Sequence, residues 1–363
     1  MPARTMIDWD LAVSTASRLA GPGPVITRPD ADAVVAELKA DADRSTGLVR
    51  DFTGLEATGP SGSGRTAPVL VVDRTGWVQA NADGFADLMG PLVEKMQSRK
   101  GAPGPVTEAV GSKVTGVEVG GLLGFMASKV LGQFDPFYAG PGVDGATPST
   151  GRLLLVAPNI VHVENELEVD RTDFRLWVCL HEETHRVQFT AVPWMRDHIK
   201  GEIDAMIGAV DLDPGKVASM LGDAVKRMGD LVRGDDEVSL LDLFSTPEQR
   251  VVMDRLTGVM SLLEGHADVV MDGVGPSVIP SVEDIRAKFN QRRKGAGYVD
   301  RVLRRLLGMD AKMAQYRDGA AFVHAVVDRV GMADFNAVWA EPANLPSKAE
   351  IGDPQAWVRR VHG

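Results

Sequence analysis

The sequence predicts a protein built mainly from α-helices, with a small amount of β-strand. Apolar residues recur at helical spacing through most of the chain, as in the i, i+3, i+4, i+7 series that begins at Phe85. Two short apolar runs bounded by turn residues, 67–72 and 153–156, are typical of strands. An H-E-x-x-H motif, His181 to His185, lies in the middle of a long apolar helical stretch.

Composition and charge restrict the classes of function. A chain of 363 residues with 44% apolar and 25% charged content is typical of a soluble globular protein. The net charge of −11 argues against nucleic acid as a partner, because phosphate binding needs a basic surface. Cys179 is the single cysteine, which excludes an intrachain disulfide and a cysteine-rich zinc site.

The distribution of apolar residues predicts where the protein is found. The N-terminus lacks a basic segment followed by an apolar run, and no stretch approaches the ~18 apolar residues of a membrane span. We therefore expect a cytoplasmic protein that does not bind membranes. The sequence does not indicate its oligomeric state.

The secondary structure can be placed along the chain in order. Apolar spacing and cap residues predict helices over 7–20, 29–52, 85–96, 106–134, 246–273 and much of 282–331. Small residues, among them Gly120 and Gly124, predict that the 106–134 helix packs closely against a neighbour. The 135–151 segment is predicted to be a Pro/Gly loop, and the Pro-rich segment from Ala340 onward to be irregular.

We expect a single domain over residues 1–363, because the motif and the helices depend on one another. Its first part, 1–150, is mainly helical, and 151–200 holds a strand and the motif helix. Residues 201–245 are predicted to form an acidic helical insertion. The last part, 246–363, holds a long helix and the C-terminal helices.

The motif helix is predicted to begin near Asp170 or Thr172 and to end at Pro193. Apolar residues cover most of its circumference, which is typical of a buried helix. Cys179 fits this interior as a small apolar side chain.

The spacing of the motif predicts a metal site. His181 and His185 are about 40° apart around the helix, so both rings can reach one metal ion. Glu182 lies at the edge of the same face, where it can take a proton from a metal-bound water. Glu183 is about 200° from His181 and points away.

A catalytic zinc site needs a third protein ligand. An extended H-E-x-x-H-x-x-G-x-x-H pattern is excluded, because positions 188 and 191 are Gln and Ala. Glu264 lies in an otherwise apolar downstream helix, where an unpaired carboxylate would be costly. Asp268 is one turn further along the same face, and it can accept a hydrogen bond from a ligand histidine behind the metal.

Other roles for these residues remain open at this stage. H-E-x-x-H also occurs by chance, and an E-x-x-x-D pair can simply be exposed on a helix. The two patterns together, each on an apolar helix, favour metal binding. No residue can be assigned to stabilise an oxyanion, although Tyr316, His324 and His266 are candidates; His266 is about 200° from Glu264 and is a poor metal ligand.

At these residues the chain resembles the zincins of the gluzincin type, in which H-E-x-x-H and a downstream E-x-x-x-D form the site. More narrowly, it is similar to an actinobacterial family of zincin-like metallopeptidases of unknown substrate, in the branch described as associated with coenzyme F420 biosynthesis. The segments that carry the resemblance span most of the chain: 7–9, 131–135, 157–159, 177–189, 193–194, 264–268, 306–312, Trp339 and 345–346.

The resemblance implies an α+β fold that is predominantly α-helical, with a small sheet beside the H-E-x-x-H helix. It also implies that the 153–156 strand borders the substrate cleft. The expected function is that of a zinc-dependent hydrolase, by default a metallopeptidase, acting on a peptide or a small amide. In this hypothesis Zn²⁺ is held by His181, His185 and Glu264, and Glu182 is the general base.

Two further hypotheses compete with the enzyme. One is a non-catalytic zincin-like scaffold that binds a partner and keeps its metal for stability. The other is an accessory protein linked to coenzyme F420 metabolism. The intact Glu182 favours the enzyme, because a purely structural metal does not need a base.

Overall fold

Helices dominate the fold, as the sequence predicts. In the computed structural model, residues 7–57, 67–97, 105–142, 149, 151–208, 247–294 and 309–363 are described. Within these ranges, no helix combines the length and the apolar character needed to cross a bilayer. The chain divides into two compact units: Met1–Arg196 with Ala267–Lys294, and Asp197–His266 with Gly295–Gly363. The expectation of a single domain stays a prediction.

The elements are numbered in chain order. The helices are α1 Trp9–Ala20, α2 Arg28–Thr53, α3 Arg74–Gln97, α4 Pro105–Ala127, α5 Ala157–Leu167, α6 Arg171–Ala191, α7 Met195–Gly208, α8 Pro247–Val274, α9 Val282–Lys294, α10 Met309–Phe335, α11 Lys348–Gly352 and α12 Pro354–His362. The strands are β1 Val69–Val72, β2 Gly132–Asp135 and β3 Arg152–Val156. Most of the predicted acidic insertion, 209–245, lies outside the described residues.

The first unit contains a small three-stranded sheet in the order β1-β3-β2. Strand β3 is central, parallel to β1 and antiparallel to β2. Four of its five residues are buried, which explains why its sequence is apolar without alternation. The predicted strands at 67–72 and 153–156 are both confirmed, the first starting at Val69.

Strand β2 corrects the sequence prediction of one helix over 106–134. Helix α4 ends at Ala127, and a turn leads into the strand at Gly132. The Asn159 side-chain amide donates to the carbonyls of Ala127, at 2.7 Å, and Val130, at 2.6 Å. The first bond satisfies a carbonyl that the end of the helix leaves without a partner, and the second holds the turn that leads into β2.

Glycines allow α4 to pack very closely on α1. A Cβ at Gly120 would lie 2.6 Å from the carbonyl oxygen of Ala12, and one at Gly124 would lie 2.9 Å from that of Ala16. Only a residue without a side chain permits such an approach. The predicted close packing at Gly120 and Gly124 is therefore confirmed.

Helix α6 lies in the main apolar core of the first unit. Its Phe174, Trp177 and Leu180 pack there with residues of α2, α5 and α9. Cys179 is fully buried in the same core, as predicted. Burial raises the pKa of its thiol well above the usual value, so it packs as a neutral side chain.

In the second unit, α8 and α10 cross at two glycines. A Cβ on Gly265 would lie 2.1 Å from the carbonyl carbon of Gly319, and one on Gly319 would lie 1.9 Å from the carbonyl oxygen of Ser261. The prediction that the chain is irregular from Ala340 onward is wrong for its last part. Ser347 and Glu350 form a capping box that starts α11, and α12 follows at Pro354.

Candidate metal centre

The helix that carries the motif is fixed at its start by Asp170. The Asp170 Oδ1 atom accepts a hydrogen bond from the backbone N–H of Asp173 at 2.9 Å, which confirms it as the predicted cap. The side chain of Asp173 accepts from the backbone and hydroxyl of Ser281, at 2.8 and 2.7 Å. The helix ends at Ala191, two residues before Pro193.

Buried ion pairs hold the face of α6 that turns away from the histidines. Glu183 is fully buried and pairs with Arg186, whose Nε lies 2.8 Å from Glu183 Oε2. The Thr46 hydroxyl of α2 donates to Glu183 Oε1 at 2.8 Å. Glu183 therefore points away from the motif histidines, as its position on the helix predicts, and it connects α6 to α2.

The two histidines of the motif face each other. The Nε2 atoms of His181 and His185 are 3.2 Å apart, and the ring planes are nearly perpendicular, at 86°. The Nδ1 atom of His185 lies 3.0 Å from Gln188 Oε1, and that of His181 lies 3.2 Å from Met271 Sδ. An amide oxygen and a thioether sulfur both only accept hydrogen bonds. With the proton of each neutral ring on Nδ1, where these acceptors lie, both Nε2 lone pairs would be available to a metal ion between the rings.

The third carboxylate reaches the same place. Glu264 on α8 is 5% exposed, and its ligand atom lies within 4.8 Å of those of His181 and His185. Two histidines and one glutamate are a donor set typical of catalytic zinc. Two nitrogen ligands of a tetrahedral zinc ion lie about 3.3 Å apart, which is close to the separation of the two Nε2 atoms. The donor types and the separation of the two Nε2 atoms fit a zinc ion.

Glu182 is held beside the sheet. It is 7% exposed, and a Cβ added to Gly132 of β2 would come within 2.5 Å of its Cγ. Strand β3 is the central strand of the sheet, and the resemblance implies that it borders the substrate cleft. The strand next to Glu182 is β2, at the edge of the sheet. The carboxylate thus lies between the motif helix and an edge strand.

Asp268 pairs with a basic residue of the next helix. Its Oδ2 lies 3.3 Å from Arg286 Nη1, and the Arg286 guanidinium also approaches Asp272 at 2.7 Å. The negative charge of Asp268 is therefore balanced by Arg286, which belongs to the same unit. The hydrogen bond from a ligand histidine to Asp268 stays a prediction.

The three candidates for oxyanion stabilisation have different surroundings. His266 is fully buried and packs on the rings of Phe335 and Trp339, with centroids 5.7 and 5.3 Å away. His324 is exposed on α10. The side chain of Tyr316 lies outside the described residues. The aromatic contacts of His266 indicate a packing role.

Three residues next to the site were not predicted from the sequence: Gln188, Met271 and Gly132. Gln188 had a local signal, because a residue three positions after a ligand histidine lies on the same helix face. Met271 and Gly132 come from other elements, and their contacts with His181 and Glu182 depend on tertiary packing.

Comparison with known proteins shows the family of this chain. A crystal structure of a provisionally assigned hydrolase with a novel fold, from Chloroflexus aurantiacus, is 32% identical, with a TM-score of 0.69 over 98% of this chain and 99% of that chain. No protein of curated function matches the chain. The model of a zincin-like metallopeptidase family matches residues 7–358, nearly the whole sequence. This chain therefore belongs to the family of zincin-like metallopeptidases.

Proposed function

We propose that this protein is a zinc-dependent hydrolase, a metallopeptidase that cleaves a peptide or a small amide. The observation that carries the proposal is the convergence of ligand atoms from His181, His185 and Glu264 within 4.8 Å. Three protein ligands leave a coordination position open, as catalytic zinc sites do. Zinc held by these three residues would supply a Lewis acid, which would polarise a carbonyl and lower the pKa of a water molecule.

Glu182 is the general base in this mechanism. Its carboxylate accepts a proton from the attacking water and passes it to the amine that leaves. Its low exposure and its position beside Gly132 restrict the space in which the carboxylate moves. A carboxylate held in this way is already oriented before the substrate arrives, which reduces the entropy cost of the proton transfer.

The family and the structural relative support this proposal at a coarser level. The family consists of zincin-like metallopeptidases, and the relative from Chloroflexus aurantiacus is provisionally assigned as a hydrolase. A scaffold that binds zinc only for stability is the competing hypothesis. Such a scaffold has no need of a buried base directly after the first ligand histidine.

Metal analysis tests the ligands. The purified protein is expected to hold about one zinc ion per chain, and His181→Ala or Glu264→Gln should remove it. Glu264→Gln is nearly isosteric, so loss of zinc would not result from a change in packing volume. Zinc content that is unaffected by both substitutions would rule out the ligand set.

A peptide-library cleavage assay tests the chemistry. Glu182→Gln should keep the zinc and lose most of the turnover, because the amide cannot accept the proton. The non-catalytic scaffold predicts no cleavage by the wild type with zinc fully bound. Equal turnover by wild type and Glu182→Gln would remove Glu182 from its role.

A further inference from the structure

Gln188 is a fully buried amide one turn after the second histidine of the motif. Its Oε1 atom lies 3.0 Å from His185 Nδ1. Since the amide oxygen only accepts, the bond requires the proton of the neutral imidazole to be on Nδ1. The other ring nitrogen, Nε2, then has its lone pair available on the side where His181 approaches at 3.2 Å.

We propose that Gln188 is a positioning residue that fixes the tautomer and the ring orientation of His185, so that Nε2 is presented to the metal. The proposal rests on the proposed function, because it assigns His185 as a ligand. It adds a residue that the motif itself does not contain. It also gives a role to position 188. From the sequence alone, the Gln at this position shows only that the extended H-E-x-x-H-x-x-G-x-x-H pattern is absent.

The hydrogen bond matters because Gln188 is fully buried and the ring of His185 is half-buried. A polar hydrogen that loses its partner in the interior is destabilising, so the imidazole would otherwise move its proton or rotate. Either change would turn an N–H towards the metal position and prevent binding through Nε2. A hydrogen bond behind a ligand histidine also makes the imidazole a better donor, and its loss lowers metal affinity by roughly 10–100-fold.

The helix makes Gln188 suitable for this task. Residues three apart lie on the same face of a helix, so the side chain reaches His185 without any contribution from another element. Both residues belong to α6, and their relative position is set by the backbone of one helix. In contrast, the acceptor at His181 Nδ1 is Met271 Sδ, which α8 supplies. A thioether is a weak acceptor, so we expect the amide to be the stronger of the two constraints.

Zinc affinity, measured with Zn²⁺ alone against a competing chelator, tests the proposal. Gln188→Met keeps the length of the side chain and replaces the amide oxygen with a much weaker thioether acceptor, so it should weaken zinc binding by on the order of 10–100-fold. Gln188→Asn keeps the amide but shortens its reach, so it should show the same loss if the methionine variant does not fold. Gln188→Glu keeps an acceptor oxygen on a side chain of the same length. Its zinc affinity should therefore stay within a few-fold of that of the wild type.

A second readout follows the tautomer directly. In metal-free protein labelled with ¹⁵N-histidine, the ring shifts of His185 should show the Nδ1–H form in the wild type and in Gln188→Glu. In Gln188→Met the population of this form should fall. A purely structural role for Gln188 would leave the tautomer unchanged.

Thr190→Val is the matched control. Its buried hydroxyl lies on the same helix and donates to the carbonyl of Arg186 at 2.7 Å. This substitution should change neither the zinc affinity nor the His185 shifts. Unchanged affinity and an unchanged tautomer in Gln188→Met would overturn the proposal while the zinc site stands. A wild type that binds no zinc would overturn the proposed function, and the tautomer measurement would still test Gln188.

Discussion

Gly132 and Glu182 are in close contact across the junction of strand β2 and helix α6. A Cβ on Gly132 would lie 2.5 Å from Glu182 Cγ, 2.8 Å from its Cδ and 3.0 Å from its Oε1. Contacts below 3.0 Å force one of the two groups to move. The missing side chain at position 132 is therefore what gives the carboxylate its place beside the sheet.

We expect Gly132→Ala to displace Glu182 and to reduce cleavage strongly while zinc is retained. The proposed metal ligands are other residues, and the three atoms nearest to the added methyl group all belong to Glu182. A displacement of about 1 Å at a reacting group can reduce the rate by about 100-fold. Zinc content and peptide-library turnover, measured on the same preparation, check this expectation.

Gly121→Ala provides the control for Gly132→Ala. A Cβ at Gly121 would meet nothing within 4 Å, so the substitution should leave turnover unchanged. In a helix it should also raise stability slightly, by up to about 1 kcal/mol. Full turnover by Gly132→Ala would show that Glu182 tolerates movement, and its assignment as base would weaken.

Two neighbouring glutamates should respond in opposite ways to substitution. Glu183→Ala leaves Arg186, which is 2% exposed, without its buried carboxylate, and we expect the free energy of unfolding to fall by about 3–5 kcal/mol. Glu182→Ala should lower stability far less and instead remove turnover. Urea unfolding of both variants measures the difference. Equal losses of stability would contradict the division between a supporting and a reacting glutamate.

The motif helix and the proximity of Glu264 to the two histidines could be predicted from the sequence, and the role of Glu264 as a metal ligand stays a prediction. Asp170, the apolar stretch around Trp177 and the terminating Pro193 define α6 locally, because caps and periodicity act within one element. Glu264 was identified because a carboxylate is conspicuous in an apolar helix, and it does lie within 4.8 Å of the motif's ligand atoms.

The parts that were missed depend on contacts between elements. Strand β2 is four residues long and forms by pairing with β3, so its own sequence contains little of the signal. The partner of Asp268 was missed for the same reason, since Arg286 reaches it from the following helix. The spacing of residues within a helix predicts the direction of a side chain. It does not predict which residue of another element contacts that side chain.

The helix crossing at Gly319 should not tolerate a side chain. A Cβ there would lie 1.9 Å from the carbonyl oxygen of Ser261, which is backbone and cannot rotate away. We expect Gly319→Ala to lower the free energy of unfolding by about 1–3 kcal/mol, the usual range for overpacking. Gly352→Ala is the matched control, because a Cβ at that position meets nothing within 4 Å. The midpoint of thermal unfolding should fall for Gly319→Ala and stay unchanged for Gly352→Ala. Equal midpoints for the two variants would disprove the close crossing of α8 and α10.

Asp41 on α2 gives a pH dependence of stability. Burial first, and then the carboxylate of Glu37, raise the pKa of Asp41 from 3.8 to about 6, against the lowering effect of Arg44 and Arg175. The folded protein therefore binds more protons than the unfolded chain between these two values. Its stability should fall as the pH rises through this window, and the loss is complete above it.

Asp41→Asn imitates the protonated side chain and should remove this loss. At pH 7.5 we expect the variant to be more stable than the wild type by up to roughly 3 kcal/mol, because one pKa unit corresponds to about 1.4 kcal/mol. The difference should shrink as the pH is lowered towards 4, where Asp41 is protonated in both states. Asp43→Asn, at an exposed position two residues away, should show no such trend in urea unfolding. A stability difference for Asp41→Asn that is independent of pH would show that Asp41 titrates normally.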